Sequence, residues 1–120
     1  MYDNESQEMY LETILKLQIK KGNVRSIDVA EELGYSRPSV SRAVSIMKKD
    51  GLILVDANGL IELTNSGKAK AENVLSRHRS LTEALVKMGL EHAAAEENAC
   101  RVEHVITEDA FEAIKKYFGV

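Results

Sequence analysis

The chain has 120 residues, 44% of them hydrophobic and 29% charged, with a formal net charge of −3. That size fits one domain or two small interlocked units, and the composition is that of a globular chain rather than a disordered one. No apolar run approaches the length of a membrane span, the acidic stretch MYDNESQEMY does not read as a signal peptide, and the lone Cys100 excludes an intrachain disulfide, so a cytosolic protein is expected.

The first predicted element is a helix from Ser6 to Ile19, capped by Ser6 and stopped by Lys20, Lys21 and Gly22, with Tyr10, Leu11, Ile14, Leu15 and Leu17 on its apolar face. A second helix is predicted over Ser26–Leu33, where Ile27, Ala30 and Leu33 recur at helical spacing. Ser26 suits its N-cap, Asp28 suits the positive end of its dipole, and Gly34 suits its stop. A third helix starts on a cap at Ser36 with Pro38 in its first turn, where a missing N–H costs little. It turns Val40, Ala43 or Val44, and Met47 inward and ends at Asp50-Gly51. Two helices joined by a tight glycine-containing turn form a helix-turn-helix, whose second helix offers its N-terminal residues to base edges in the major groove. Those residues here are Ser36, Arg37, Pro38, Ser39, Ser41 and Arg42, all small, hydroxylated or cationic, with Arg37 and Arg42 the leading contacts. The plain alternative is a helical hairpin with a polar surface.

The stretch LILVDANGLIELT then places two β-rich runs around Asn58-Gly59, a strong hairpin signal. A helix-turn-helix followed at once by a hairpin is a winged helix. Thr64 is expected to cap a long helix to about Lys87, with a seam of Ala71, Val74, His78, Leu81, Leu85 and Met88 at steps of three and four, and Gly89 ends it. Further helices are predicted over about Ala93–Val105 and, capped by Thr107, over Glu108–Phe118, with Phe111, Ile114 and Phe118 apolar. Charge divides along the chain: residues 15–80 hold 12 Lys/Arg against 7 Asp/Glu, whereas residues 81–120 hold 4 against 8. A basic part containing the helix-turn-helix suits a phosphate-facing surface, and the acidic part suits another task.

That task is suggested by Cys100, Glu103 and His104. At positions i, i+3 and i+4 of a helix they share a face, and a thiolate, a carboxylate and an imidazole together suit Fe(II), Co(II), Ni(II) or Zn(II) better than Mg(II) or Ca(II). His78 in the neighbouring helix is a further candidate. Each residue also has an ordinary reading: a small core thiol, a solvated carboxylate, a satisfied core histidine.

The arrangement resembles the diphtheria toxin repressor family of metal-dependent transcription factors. The carrying motifs are Glu8-Met9-Tyr10-Leu11-Glu12, Ala30-Glu31-Glu32-Leu33 with Ser39-Val40-Ser41, Leu63-Thr64 and Gly67, Arg77-His78-Arg79, and Ala99-Cys100-Arg101-Val102-Glu103-His104-Val105. The resemblance implies a mainly α fold: a winged helix-turn-helix over 1–72, then an all-helical metal-binding and dimerisation domain over 73–120, as in the short members without an SH3-like domain. It implies a metal site of Met9, Cys100, Glu103 and His104, as in the iron-responsive members. Manganese-specific members place carboxylates at the Met9 and Cys100 positions. A second site in the family uses a histidine matching His78, but its carboxylate position is Thr82 here and a later histidine is Glu96, while Glu12 matches a manganese-type ligand. His78, Glu96 and Glu12 are therefore the candidates for any second site.

The expected function is a cytoplasmic, metal-dependent repressor that binds a double-stranded DNA operator as a homodimer, with no membrane role and no enzymatic activity. Fe(II) is the expected effector, Mn(II) the alternative, and Ni(II), Co(II) or Zn(II) should bind in vitro. A winged-helix regulator sensing redox through Cys100 is a second class. A metalloenzyme with Glu103 as base is a third, against which no substrate loop or glycine-rich phosphate cradle is visible.

Overall fold

The first helix, α1 (Asn4–Lys21), buries Tyr10, Leu11, Ile14, Leu15 and Leu17 along one side, in a computed structural model that describes residues 4–120. Ser6, expected as its cap, lies inside the helix instead. The helix stops at Gly22, whose φ of 86° belongs to the left-handed region.

Helix α2 (Ser26–Leu33) is capped one residue earlier than expected. Arg25 holds the extended N-cap backbone and Ser26 is the first helical residue. The reason is Asp28, whose carboxylate accepts the Arg25 backbone N–H at 2.8 Å and the Lys21 ammonium at 2.7 Å. The Lys21 hydrogen bond first, then the Arg25 N–H, hold the Asp28 carboxyl below its ordinary value. Helix α3 (Arg37–Lys49) begins as expected. The Ser36 hydroxyl accepts the Ser39 N–H, Pro38 occupies the first turn, and Val40, Ala43, Val44 and Met47 are buried.

Strands β1 (Ile53–Val55) and β2 (Ile61–Leu63) pair antiparallel, with Ile53 opposite Leu63 and Val55 opposite Ile61. The loop between them is wider than a two-residue Asn58-Gly59 turn. The Asp56 N–H donates to the Leu60 carbonyl at 3.0 Å, and the Asp56 carboxylate accepts the N–H groups of Asn58 and Leu60 at 2.8 and 2.9 Å. Asp56 therefore closes the loop and Asn58-Gly59 form only its tip. The Ile61 N–H donates to the Val24 carbonyl at 2.8 Å, tying the hairpin to the segment between α1 and α2.

Helix α4 (Asn65–Lys87) is locked to the hairpin base. The Thr64 hydroxyl accepts the Gly67 N–H at 3.1 Å and donates to the Gly51 carbonyl at 2.7 Å. A Cβ on Gly67 would fall 1.9 Å from the Leu52 carbonyl oxygen, so only glycine fits there. Farther along, α5 (His92–Val102) and α6 (Glu108–Phe118) pack with α4 around Leu81, Ala99 and Phe111. Helix α5 stops at Val102, short of the expected Val105. The Val105 N–H reaches back only three residues, to the Val102 carbonyl, so Glu103 and His104 stand in a tight turn after the helix. The long seam is buried at Ala71, Val74 and Leu81 but leaves Met88 63% exposed at its end.

The chain forms two compact units, Met1–Glu72 and Asn73–Val120. Among the described residues no helix is long and apolar enough to cross a membrane.

Candidate metal centre and nucleic-acid interface

Within the first unit, the start of α3 presents a continuous polar surface. Ser36, Arg37, Pro38, Ser39, Ser41 and Arg42 are all exposed, while Val40, Ala43 and Val44 between and after them point inward. Ser36 is occupied by the cap, and its hydroxyl also donates to the Ser39 hydroxyl at 2.8 Å. Arg37 and Arg42 make no hydrogen bond or ion pair among the described residues, so both guanidinium groups are available to an outside acceptor. Two cations flanking a helix N-terminus favour an anionic partner.

Within the second unit, the turn after α5 gathers three of the predicted site residues. The Glu103 side chain has no exposed surface, and its carboxylate is bracketed by two imidazoles. Its Oε2 lies 2.7 Å from His78 Nδ1, and its Oε1 lies 3.2 Å from His104 Nε2, on a side chain only 2% exposed. An ionised Glu103 can only accept, so the His78 Nδ1 carries the proton in that contact. Carboxylate-to-imidazole contacts of this kind orient ligands around protein-bound metals. The second contact has the bite of a metal site. Two donors about 2.1 Å from one ion are about 3.0 Å apart at a right angle and about 3.4 Å apart at the tetrahedral angle. The 3.2 Å between Glu103 Oε1 and His104 Nε2 falls between these values. The residues present therefore fit a divalent ion.

Cys100 is exposed, whereas the Glu103 and His104 side chains are buried. Helix α5 turns Ala95 and Ala99 inward, which carries Cys100, one residue beyond Ala99, to the exposed side. Among the described residues, no cluster of three metal-ligating side chains includes Cys100. The other predicted ligands lie on α1: Glu12, 3% exposed, with Lys16 at 3.8 Å, and Met9, whose sulfur accepts the Tyr35 hydroxyl at 3.2 Å.

The second-site candidates His78 and Glu96 line one cavity with Thr82, Glu83 and His92. Thr82 spends its hydroxyl on the carbonyl of His78 at 2.7 Å, a local bond within α4. Among the described residues these side chains form no three-donor cluster. Sequence reasoning missed His92, although it stands four residues before Glu96 on α5. It also gave no role to Arg77, which donates to the Glu103 carbonyl at 3.1 Å and to the Glu108 carboxylate at 3.0 Å. Its position beside His78 in the quoted Arg77-His78-Arg79 motif was the available signal.

Comparison with known proteins places the chain in a family. Residues 4–59 match the family model described as the iron dependent repressor N-terminal DNA binding domain, and residues 64–120 match the iron dependent repressor metal binding and dimerisation domain. The chain is 41% identical over 106 residues to the iron-dependent repressor IdeR of Mycobacterium leprae, covering 88% of this chain and 46% of that protein. It is 35% identical over 107 residues to the diphtheria toxin repressor of Corynebacterium diphtheriae, covering 88% and 47%. Thus it spans about half the length of the curated relatives it matches. Among solved structures it is similar to T. acidophilum IdeR (TM-score 0.83, 27% identity, covering 100% of this chain and 55% of that one). It is also similar to a manganese-dependent transcriptional repressor in complex with manganese (TM-score 0.85, 27% identity, covering 94% and 52%).

Proposed function

The chain belongs to the iron dependent repressor family, and from that premise we propose that it is a metal-dependent DNA-binding transcriptional repressor, acting in the cytoplasm and not as an enzyme. The observation that carries the reading is the buried Glu103 carboxylate held between His78 and His104 at 2.7 and 3.2 Å. Glu103 and His104 would hold the ion, with Cys100 and Met9 as the thiolate and thioether donors that the family resemblance implies. When bound, the ion supplies directional bonds that cross-link its ligands. Fe(II) is the proposed effector, because a thioether and a thiolate favour later first-row ions over Mn(II). Ni(II), Co(II) and Zn(II) bind the same donors in vitro. Ligation needs a deprotonated Cys100, so affinity falls as pH drops.

A second reading, Mn(II), has its own support in Glu12, a buried carboxylate on the same helix as Met9. Glu96 adds a further hard oxygen at the cavity beside His78.

DNA is the proposed partner of α3. Arg37 and Arg42 meet bases or phosphates, while Ser36, Pro38, Ser39 and Ser41 line the approach. The operator has two-fold symmetry because the chain acts as a homodimer. The dimer surface is an apolar groove of the second unit, lined by Leu81, Leu85, Met88, Val102, Ile114 and Tyr117. Tyr117 is 83% exposed there, an unusual cost for an isolated chain. Metal control is a population shift, in which ligation enriches the conformers whose donors converge, and linkage requires DNA to raise metal affinity by the same factor. The test is an anaerobic metal titration of chelated protein with and without operator-length DNA. Metal-strengthened, sequence-selective binding by a dimer supports the reading. A monomer by sedimentation, or binding indifferent to metal, contradicts it.

A further inference from the structure

Tyr35 stands at a junction. It follows Gly34, the left-handed stop of α2 with φ 69°, and directly precedes Ser36, the N-cap of α3. Its backbone N–H donates to the Ala30 carbonyl at 3.1 Å, which fixes it to the end of α2. Its side chain is 43% exposed, yet it is held twice. The ring meets Tyr10 edge-on, with centroids 6.0 Å apart and planes 73° apart, and the hydroxyl donates to the Met9 sulfur at 3.2 Å. Tyr10 and Met9 are adjacent on α1, so one tyrosine grips two consecutive residues of that helix.

The direction of the hydrogen bond matters. A thioether has no proton, so the phenol is the donor and one sulfur lone pair is engaged. The second lone pair stays open. A neutral donor on the first lone pair restricts rotation about the terminal bonds of methionine, a flexible side chain with three rotatable bonds. The bond also runs from α1 to the residue that sets up the recognition helix, whose own first turn hangs on the Ser36–Ser39 cap.

We propose that Tyr35 is a positioning residue: its hydroxyl orients the Met9 thioether for a metal ion and carries the occupancy of that sulfur to the N-cap of the recognition helix. The proposal rests on Met9 being a ligand, as in the function proposed above. It differs from that reading in assigning a role to a residue that touches no metal and needs touch no DNA.

The test is a double-mutant cycle on the full chain with Tyr35→Phe, which keeps the ring, and Met9→Leu, which keeps the bulk and removes the sulfur. Co(II) affinity is read anaerobically by visible absorbance. Amide hydrogen exchange over residues 34–40 is read with and without Co(II). Tyr35→Phe should weaken Co(II) binding about three- to tenfold, below the usual range for partners of metal ligands because a thioether is a weak acceptor. It should also abolish the Co(II)-dependent protection at Ser39, and both effects should vanish in the Met9→Leu background. Tighter Co(II) binding by Tyr35→Phe would show that the hydroxyl competes with metal, and would overturn the proposal. So would an equal loss in the Met9→Leu background, which marks a merely structural role. If Met9→Leu alone leaves Co(II) affinity unchanged, the ligand role of Met9 fails and this proposal with it, whereas a Met9→Leu defect with a silent Tyr35→Phe removes this proposal alone.

Discussion

Replacing Arg77 by Met removes one guanidinium that makes three contacts around the turn holding Glu103 and His104. The side chain is 16% exposed. It donates to the Glu103 carbonyl at 3.1 Å, and a hydrogen bond from a charged group is worth about 1.5–3 kcal/mol. It pairs with Glu108 at 3.0 Å, but that carboxylate is 66% exposed, so the pair adds about 0–1 kcal/mol. It lies 5.7 Å from the Phe111 centroid, for about 0.5–1 kcal/mol. Against these, Arg77 Nε is buried with no hydrogen-bond partner among the described residues, a cost of about 1–3 kcal/mol that methionine does not bear. The net expectation is a loss of about 1–3 kcal/mol, measured as a lower urea midpoint of chelated protein at unchanged m-value. The local consequence should exceed the global one. Glu103 is the C-cap of α5 and His104 lies in the turn beyond it, where Arg77 holds the Glu103 carbonyl, so Co(II) or Zn(II) affinity should fall at least tenfold, in line with lost support behind metal ligands. Arg77→Lys, which keeps the charge and one donor, should recover part of it. A variant with wild-type stability and wild-type metal affinity would refute the reasoning that Arg77 holds the ligand turn.

Three further outcomes follow from separate features. Arg37→Ala and Arg42→Ala should each weaken DNA binding while leaving the unfolding midpoint and metal affinity unchanged. A base contact would cost about 1–3 kcal/mol and a phosphate contact would flatten the salt slope, both readable by anisotropy across a salt series. Gly67→Ala should destabilise the first unit by at least about 2 kcal/mol in urea unfolding, because its Cβ would need the space of the Leu52 carbonyl, 1.9 Å away. Asp28 has a lowered carboxyl pKa through Lys21 and the Arg25 N–H, so its contribution is complete above the ordinary aspartate value of 3.8 and is lost as pH falls through the lowered one. Asp28→Asn should therefore lower the thermal midpoint at neutral pH and flatten its decline in acid.

The helices and the polar face at the start of α3 were legible because they are written in periodicities and caps. Ser36, Pro38 and the Val40–Met47 spacing specify α3 almost residue by residue. Errors arose where a side chain farther along decided a boundary. Asp28 closes α2 from inside, so Ser26 was misread as its cap, and Asp56 widens the hairpin loop beyond Asn58-Gly59. The candidate metal ligands were legible as residue types. The helix ends at Val102 with Glu103 as its C-cap, short of Val105, and packing turns Ala99 inward and Cys100 outward. The contact between His78 and Glu103 joins residues 25 positions apart, across the seam that made His78 a further candidate. Tyr35 and Arg77 escaped because each acts through partners distant in the chain.

The central claim is that a metal ion held by Glu103 and His104 controls DNA binding. It is tested most directly by anaerobic fluorescence anisotropy of chelated protein on operator DNA selected from a random pool, titrated with Fe(II) or Mn(II) at matched free-metal concentrations. Fe(II) should raise operator affinity at least tenfold and more than Mn(II) does, and the combined Glu103→Gln, His104→Ala variant should lose the response while still binding DNA weakly and without selectivity. Equal affinity of chelated and metal-loaded protein would contradict the account, and so would a metal response that survives in the double variant.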